Sequence, residues 1–264
     1  MRHVMAVPVL AVAMGMSGCG SAASPSADAG PLQMRDGEVL VTCAGSTAFP
    51  ASRVSAAVAP ESVDAAAVDT ALADLTQRAG IDAPTPLQQF GSNTTWTVLW
   101  TAEESPDGTV GLLLTPPGRE PSLADDWYAT LGSAGAEWSA QSWGERCLPH
   151  PALATGTEWV QLALPDGAGG ADLSDATEIP VLVSEWSCTG GRDPGPYLHE
   201  PVVMEDSDSV TIYWTTEQPV GDQACPGNPW VERTVTLSAP LGARLLFDGS
   251  SYPPAPMTEV RSAD

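Results

Sequence analysis

Trp186-Ser187-Cys188-Thr189-Gly190-Gly191-Arg192 opens the stretch whose reading decides the fold, and Cys225-Pro226-Gly227-Asn228-Pro229 follows it. The stretch closes with Pro240-Leu241-Gly242-Ala243-Arg244-Leu245-Leu246-Phe247-Asp248-Gly249. Each cysteine is followed at once by residues that reverse a chain. Val210-Thr211-Ile212-Tyr213-Trp214 and Val231-Glu232-Arg233-Thr234-Val235-Thr236-Leu237 alternate apolar and polar side chains with the period of a half-buried strand. Asp206-Ser207-Asp208 supplies a tight turn before the first of these. A bridge between Cys188 and Cys225 would staple this region into a small β unit.

Working outward, the expected strands are Glu158–Leu164, Glu178–Cys188, Pro201–Glu205, Ser209–Thr216, Val231–Ser238 and Arg244–Phe247. Short strands with turn signals at this spacing read as a sandwich-like all-β half over residues 151–252. Residues 253–264, with Pro253, Pro254 and Pro256, read as a loose tail. Pro149-His150-Pro151 is the expected hinge or boundary to a first half, residues 37–150. There Val39–Cys43 is β-prone, and Pro60–Ala79 reads as the main helix, with Val68, Leu72, Leu75 and Ala79 at helical spacing. Asp64 and Arg78 suit the helix dipole. Gly80 is a natural stop, with Ile81 expected to fold back on Leu75. Strands are expected at Thr95–Ala102, Thr109–Leu114, Trp127–Leu131 and Ala136–Trp143, with Asp107-Gly108 turning between the first two. The fold class is therefore α+β: one main helix on an antiparallel meander, then an all-β sandwich-like half.

The N-terminal end reads as a targeting signal over residues 1–18. Arg2 and His3 precede an apolar run, Val4–Met16, too short to span a hydrocarbon layer of roughly 30 Å as a helix. Met16-Ser17-Gly18-Cys19 resembles a bacterial lipobox, with Met where Leu is usual, and implies cleavage before a lipidated Cys19. Residues 19–36, rich at first in Ser, Ala, Gly and Pro, read as the tether. The implied address is the outer face of the cytoplasmic membrane, reached through the lipid anchor. Of five cysteines, Cys19 aside, Cys43, Cys147, Cys188 and Cys225 remain. Four cysteines allow three connectivities. Pairing within each half, Cys43–Cys147 and Cys188–Cys225, is the economical one.

Charge narrows the partners. The chain has 33 acidic residues against 10 arginines and no lysine, a formal charge of −23. Nucleic acid is excluded as a partner, since its binding needs Lys and Arg to neutralise phosphates. No CxxC and no histidine at ligand spacing points to a metal, and no cofactor motif such as GxGxxG or a Walker loop is present. There is likewise no G-x-S-x-G and no HExxH. His150 and His199 are the histidines left after processing. Asp125-Asp126, and Glu205 with Asp206 and Asp208, are the carboxylate groupings that would serve acid–base chemistry or bind calcium; they lack the EF-hand spacing and its glycine, and the alternative for them is solvated turns. Nine tryptophans lie mostly in or beside expected strands, where an exposed face would stack on a sugar ring. Arg192, Arg244 and Asp248 are the candidate binding residues, a polar rim for an anionic group. The alternative for them is a structural Arg–Asp pair fixing the last strand.

The second half resembles a recurrent module of exported proteins and lipoproteins of high-GC Gram-positive bacteria. The matching pieces are Ser187-Cys188-Thr189-Gly190-Gly191-Arg192, Cys225-Pro226-Gly227-Asn228-Pro229, Pro240-Leu241-Gly242 and Arg244-Leu245-Leu246-Phe247-Asp248-Gly249. Val41-Thr42-Cys43 and Trp143-Gly144-Glu145-Arg146-Cys147 fit the same layout in the first half. That resemblance implies architecture and address but no reaction. The expected function is a non-catalytic binding or envelope-scaffold module whose partner is an envelope protein or glycan. The alternative is a cell-wall-polymer hydrolase using acidic residues.

Overall fold

A computed structural model describes residues 30–43, 47–54, 63–134, 137–168 and 173–260. The signal segment and Cys19 lie outside the described residues. The described chain opens with a hairpin, β1 (Met34–Arg35) and β2 (Glu38–Cys43). Its turn residues, Asp36 and Gly37, take φ of 52° and 82°. A two-residue type I′ turn needs two positive φ values, and Asp-Gly is a favoured pair for it. The end of the expected tether is therefore built into the fold. Leu32 is 6% exposed and bridges to Leu153. β3 (Phe49–Pro50) pairs with β2.

Helix α1 (Ala65–Ala79) starts later than the Pro60 expected. Asp64 sits outside the helix with extended backbone, and its carboxylate accepts from the Ala66 N–H at 2.9 Å and the Ala67 N–H at 3.3 Å. An N-cap of this kind fixes where a helix begins; residues 60–62 are outside the described set. At the other end Gly80 donates to the Thr76 carbonyl, but its φ 55°, ψ −117° is not the left-handed geometry of a Schellman cap. Ile81 consequently points into solvent, 91% exposed, instead of folding onto Leu75. A second helix, α2 (Thr85–Phe90), occupies the proline-bearing connection between Gly80 and the first expected strand of the meander, where no element was expected. Pro86 lies in its first turn, where a missing N–H costs nothing.

The meander follows as expected: β4 (Thr95–Trp100), β5 (Thr109–Thr115), β6 (Trp127–Ala134) and β7 (Glu137–Gly144), in that spatial order. One face packs Val98, Val110, Leu112, Leu114 and Leu131 against Val68, Leu72 and Leu75 of α1. The other packs Leu99, Trp100 and Leu113 against Val41, Phe49 and the Cys43–Cys147 pair. Each such side chain contributes about 1.5–3 kcal/mol by leaving water, so the sheet is held from both sides. β8 (Pro149–Pro151) pairs with Val41–Cys43 of β2. The stretch expected as a hinge is thus a strand in the sheet of the N-terminal hairpin.

The second half forms β9 (Thr157–Pro165), β10 (Glu178–Glu185), β11 (Val202–Glu205), β12 (Ser209–Tyr213), β13 (Thr215–Glu217), β14 (Val231–Thr236) and β15 (Leu245–Asp248). The single strand expected over Ser209–Thr216 breaks at Trp214, where the chain leaves one sheet for the other. One sheet runs β13-β9-β10-β14 and the second β11-β12-β15, and they share a core of Val160, Val181, Val183, Val210, Ile212, Val235 and Leu246. The expected loose tail is stitched down instead. β16 (Ala255–Pro256) pairs with β15, and β17 (Glu259–Val260) pairs in parallel with β9. Met257 supplies the reason: it packs on the sandwich core, and its N–H reaches the Leu246 carbonyl at 2.9 Å. Residues 261–264 are outside the described set. Both disulfides form within their halves, with Cα separations of 4.7 Å for Cys43–Cys147 and 4.8 Å for Cys188–Cys225. Two bridges of this kind point to an extracytoplasmic location. A further apolar cluster, Leu32, Val39, Trp159 and Tyr213 with Val202 and Met204, joins the N-terminal hairpin to the sandwich.

Candidate functional site

The residues expected to form a polar rim are separated and engaged in the fold. Glu185 ends β10 on the same face as Val181 and Val183, so its carboxylate is carried into the core end and is 1% exposed. Arg192 meets it with Nη2 at 2.6 Å and Nε at 3.1 Å, donates to the Glu217 carbonyl at 2.8 Å, and lies 3.7 Å over the Tyr197 ring. Thr216 Oγ1 donates to the same carboxylate at 3.0 Å. The Glu185 hydrogen bonds raise the Arg192 pKa further. Arg244 instead pairs with Glu205 at 2.7 Å and donates to the carbonyls of Ala239, Pro240 and Leu241. The Ser238 N–H and Arg244 both bind the Glu205 carboxylate and lower its pKa. Asp248 accepts from the Leu162 N–H at 3.0 Å and the Ser250 N–H at 2.8 Å, while its burial raises its pKa. Because Glu178 faces Thr236 across the β10–β14 ladder, Arg244 lies near the Glu178 end of β10 and Arg192 at the Glu185 end. At about 3.3 Å per residue that is roughly 23 Å.

The motif carrying the family resemblance is spent on the same purpose. Thr189 Oγ1 donates to Asn228 Oδ1 at 2.7 Å, and Asn228 Nδ2 donates to the carbonyls of Glu185 and Ser187 at 2.7 and 2.6 Å. The Gly190 N–H reaches the Ala224 carbonyl. These bonds clamp the two cysteine loops beside the Cys188–Cys225 bridge.

The carboxylate groupings are held in turns. Asp126 is buried, with Oδ2 accepting from Thr115 Oγ1 and the Ser122 N–H, and Oδ1 ion-paired to Arg119 at 3.2 Å. Asp125 accepts from Ser122 Oγ, and the Asp206 N–H closes the hairpin on the Ser209 carbonyl. Among the described residues no group of three or more His, Cys, Asp or Glu is placed to hold a metal. No described helix is long and apolar enough to cross a membrane. Of the tryptophans, Trp100, Trp159 and Trp214 are buried, while Trp143 and Trp186 are 36% and 49% exposed. His150 meets the edge of Trp186 and hydrogen-bonds the Ser250 carbonyl at 3.0 Å.

One concave site emerges that reading the sequence had not assembled. A cleft of about 460 Å³ opens between the edge strands β11 and β14, and Leu198, His199, Trp214, Arg233 and Val235 are among its lining. The wall over it is the short turn Gly195–Tyr197 and the loop after it. That loop is pinned to β13. The His199 N–H reaches the Thr215 carbonyl at 3.0 Å, and His199 Nδ1 the Thr215 hydroxyl at 2.9 Å. The Trp214 indole N–H donates to the His199 carbonyl at 2.7 Å. Arg233 faces inward because the period-two pattern of β14 puts it on the side of Val231 and Val235. A charged residue at an inward position was the signal available in the sequence. A second, smaller and largely apolar cavity of about 270 Å³ lies beside α1, lined by Leu72, Ala73, Thr76 and Leu87.

No family model, curated protein or solved structure matches the chain.

Proposed function

We propose that this chain is an exported, lipid-tethered binding module whose ligand, an envelope protein segment or glycan, occupies the cleft between β11 and β14. The observation that carries the reading is the cleft itself: a preformed concavity at the open edge of a disulfide-stapled sandwich, with a mostly polar lining broken by a few apolar side chains. The resemblance to exported modules and the Met16–Cys19 motif support the same address. Of the acidic residues weighed for hydrolysis, Asp126 and Glu205 are held in ion pairs and Asp125 accepts from Ser122, which favours binding over catalysis.

Two measurements test it. Mass spectrometry of the mature N-terminus is expected to find acylated Cys19 as the first residue; a free amine on another residue ends the tether reading. Amide chemical-shift mapping against solubilised envelope peptides and oligosaccharides is expected to cluster on Gly195–Pro201 and Val231–Thr236, with the fragments recovered intact. Shifts elsewhere, or cleaved fragments, would overturn the module reading.

A further inference from the structure

Arg233 stands apart from the other arginines. Arg35 and Arg53 pair with Glu104, Arg78 with Asp74, Arg119 with Asp126, Arg192 with Glu185, and Arg244 with Glu205. Arg146 is exposed to solvent. Arg233 is half-buried on the inward face of β14 and has no ion pair among the described residues, in a chain with 33 carboxylates to choose from. A guanidinium offers five N–H donors. One, at Nη1, is used on the Glu232 carbonyl at 2.7 Å.

The surroundings hold that guanidinium in place without pairing it directly to a carboxylate. Gly195 leaves the room: a Cβ there would stand 2.3 Å from Arg233 Nη2. The neighbouring carboxylate, Asp193, is turned to the Gly195 N–H, from which it accepts at 2.9 Å. His199, whose Nδ1 is engaged by Thr215, has Nε2 as its remaining polar atom. Glu200 is the one acid in the lining; His199, Thr234 and Thr236 help make it mostly polar, with Leu198, Val203, Trp214 and Val235 supplying the apolar part.

We propose that the cleft recognises a ligand carboxylate, bound by the free edge of the Arg233 guanidinium. This rests on the cleft being the ligand site. The planar fork of arginine matches a carboxylate in two parallel hydrogen bonds. A singly charged group fits better than a phosphate dianion, because Glu200 and a chain of −23 oppose each added negative charge. The mostly polar lining, with Thr234, Thr236 and His199 beside Arg233, suits the hydroxyl-bearing body of a uronic acid of a glycan; a peptide C-terminus is the competing source that the titration separates. The competing role for an inward charge on an edge strand is to block pairing with a second sheet, and that role needs no ligand.

The mature chain is titrated with an N-acetylated dialanine, with the same dipeptide as its C-terminal amide, and with glucuronate, following the Trp214 indole and Arg233 Nε–H resonances. Saturable shifts with glucuronate are expected; if only the dipeptide acid saturates, the sugar-acid assignment falls and the source is a peptide C-terminus. The amide is expected to bind at least about tenfold more weakly, the scale of a lost charge-assisted hydrogen-bond pair. Arg233→Gln is expected to lose the acid by a similar factor while its melting temperature stays near that of the parent. Gly195→Ala keeps the charge but displaces the guanidinium, so it should weaken the acid too, and it serves if Arg233→Gln folds poorly. If acid and amide bind alike, the cleft stands and the carboxylate assignment falls. If neither acid saturates by about 10 mM, a Kd giving under 3 kcal/mol, the assignment also falls, and Arg233 is left as an edge guard.

Discussion

Glu104 ties the N-terminal hairpin to the meander with one carboxylate, accepting from Arg35 at 3.0 Å and from Arg53 Nη2 at 2.9 Å, with the Thr101 N–H also at 2.9 Å. Burial alone would raise its pKa; the Arg53 bonds, Thr101 and Arg35 outweigh burial and bring it to about 2 from an ordinary 4.5. As pH falls, the unfolded chain takes up this proton first. The stabilisation is therefore complete above about pH 4.5 and disappears as pH drops through about 2. Glu104→Gln should lower unfolding free energy at pH 7 by on the order of 1 kcal/mol, discounted because the group is partly open to solvent. Urea titrations at pH 7, 4 and 2.5 should show the gap to the parent closing. A gap constant across that range would mean the charge is not what binds the arginines. At Arg192 the stakes are larger. Removing it leaves Glu185 buried and uncompensated, so Arg192→Leu should cost about 3–5 kcal/mol, and adding Glu185→Gln should recover part. A loss below about 1 kcal/mol would show that solvent reaches Glu185.

Strands and turns carry the next level. The Cys188–Cys225 bridge closes a separation of 37 residues, worth about 4 kcal/mol of unfolded-chain entropy. Cys225→Ser should lose about 2–5 kcal/mol, and limited proteolysis should cut first between Gly190 and Asn228. Cutting that begins in α1 instead would mean the loss spreads through the whole chain. Most strands were legible because each alternating run is bracketed by Gly, Pro, Asn or Asp, so pattern and punctuation agree. The misses have physical causes. Alternation continues through Trp214, and periodicity cannot show that a chain changes sheets there. Proline at a first helical turn looks like proline in a loop, which hid α2. Proline on an outer strand resembles proline in a tail, which hid β16. At the site, Arg192 and Arg244 drew attention because they flank glycine turns, whereas the informative feature of Arg233 was its inward parity. Which arginines find carboxylates is a matter of distant chain segments meeting, and no local pattern encodes it.

At the scale of the molecule, a formal charge of −23 means that compaction crowds like charges. Raising NaCl from about 20 to about 300 mM shortens the screening length from roughly 20 to roughly 6 Å. The melting temperature should therefore rise by a few degrees, and a fall would show that the ion pairs outweigh the repulsion. The N-terminal hairpin has a consequence of another kind. Leu32 and Val39 pack with Val202 and Met204 of β11, while the intervening Val203 lines the cleft. If the chain ahead of Gly30 is fastened as proposed, its pull would arrive at the back of the strand that walls the cleft. Under that proposal, the first described residues and the cleft lie one strand thickness apart, so a tether would also aim the opening.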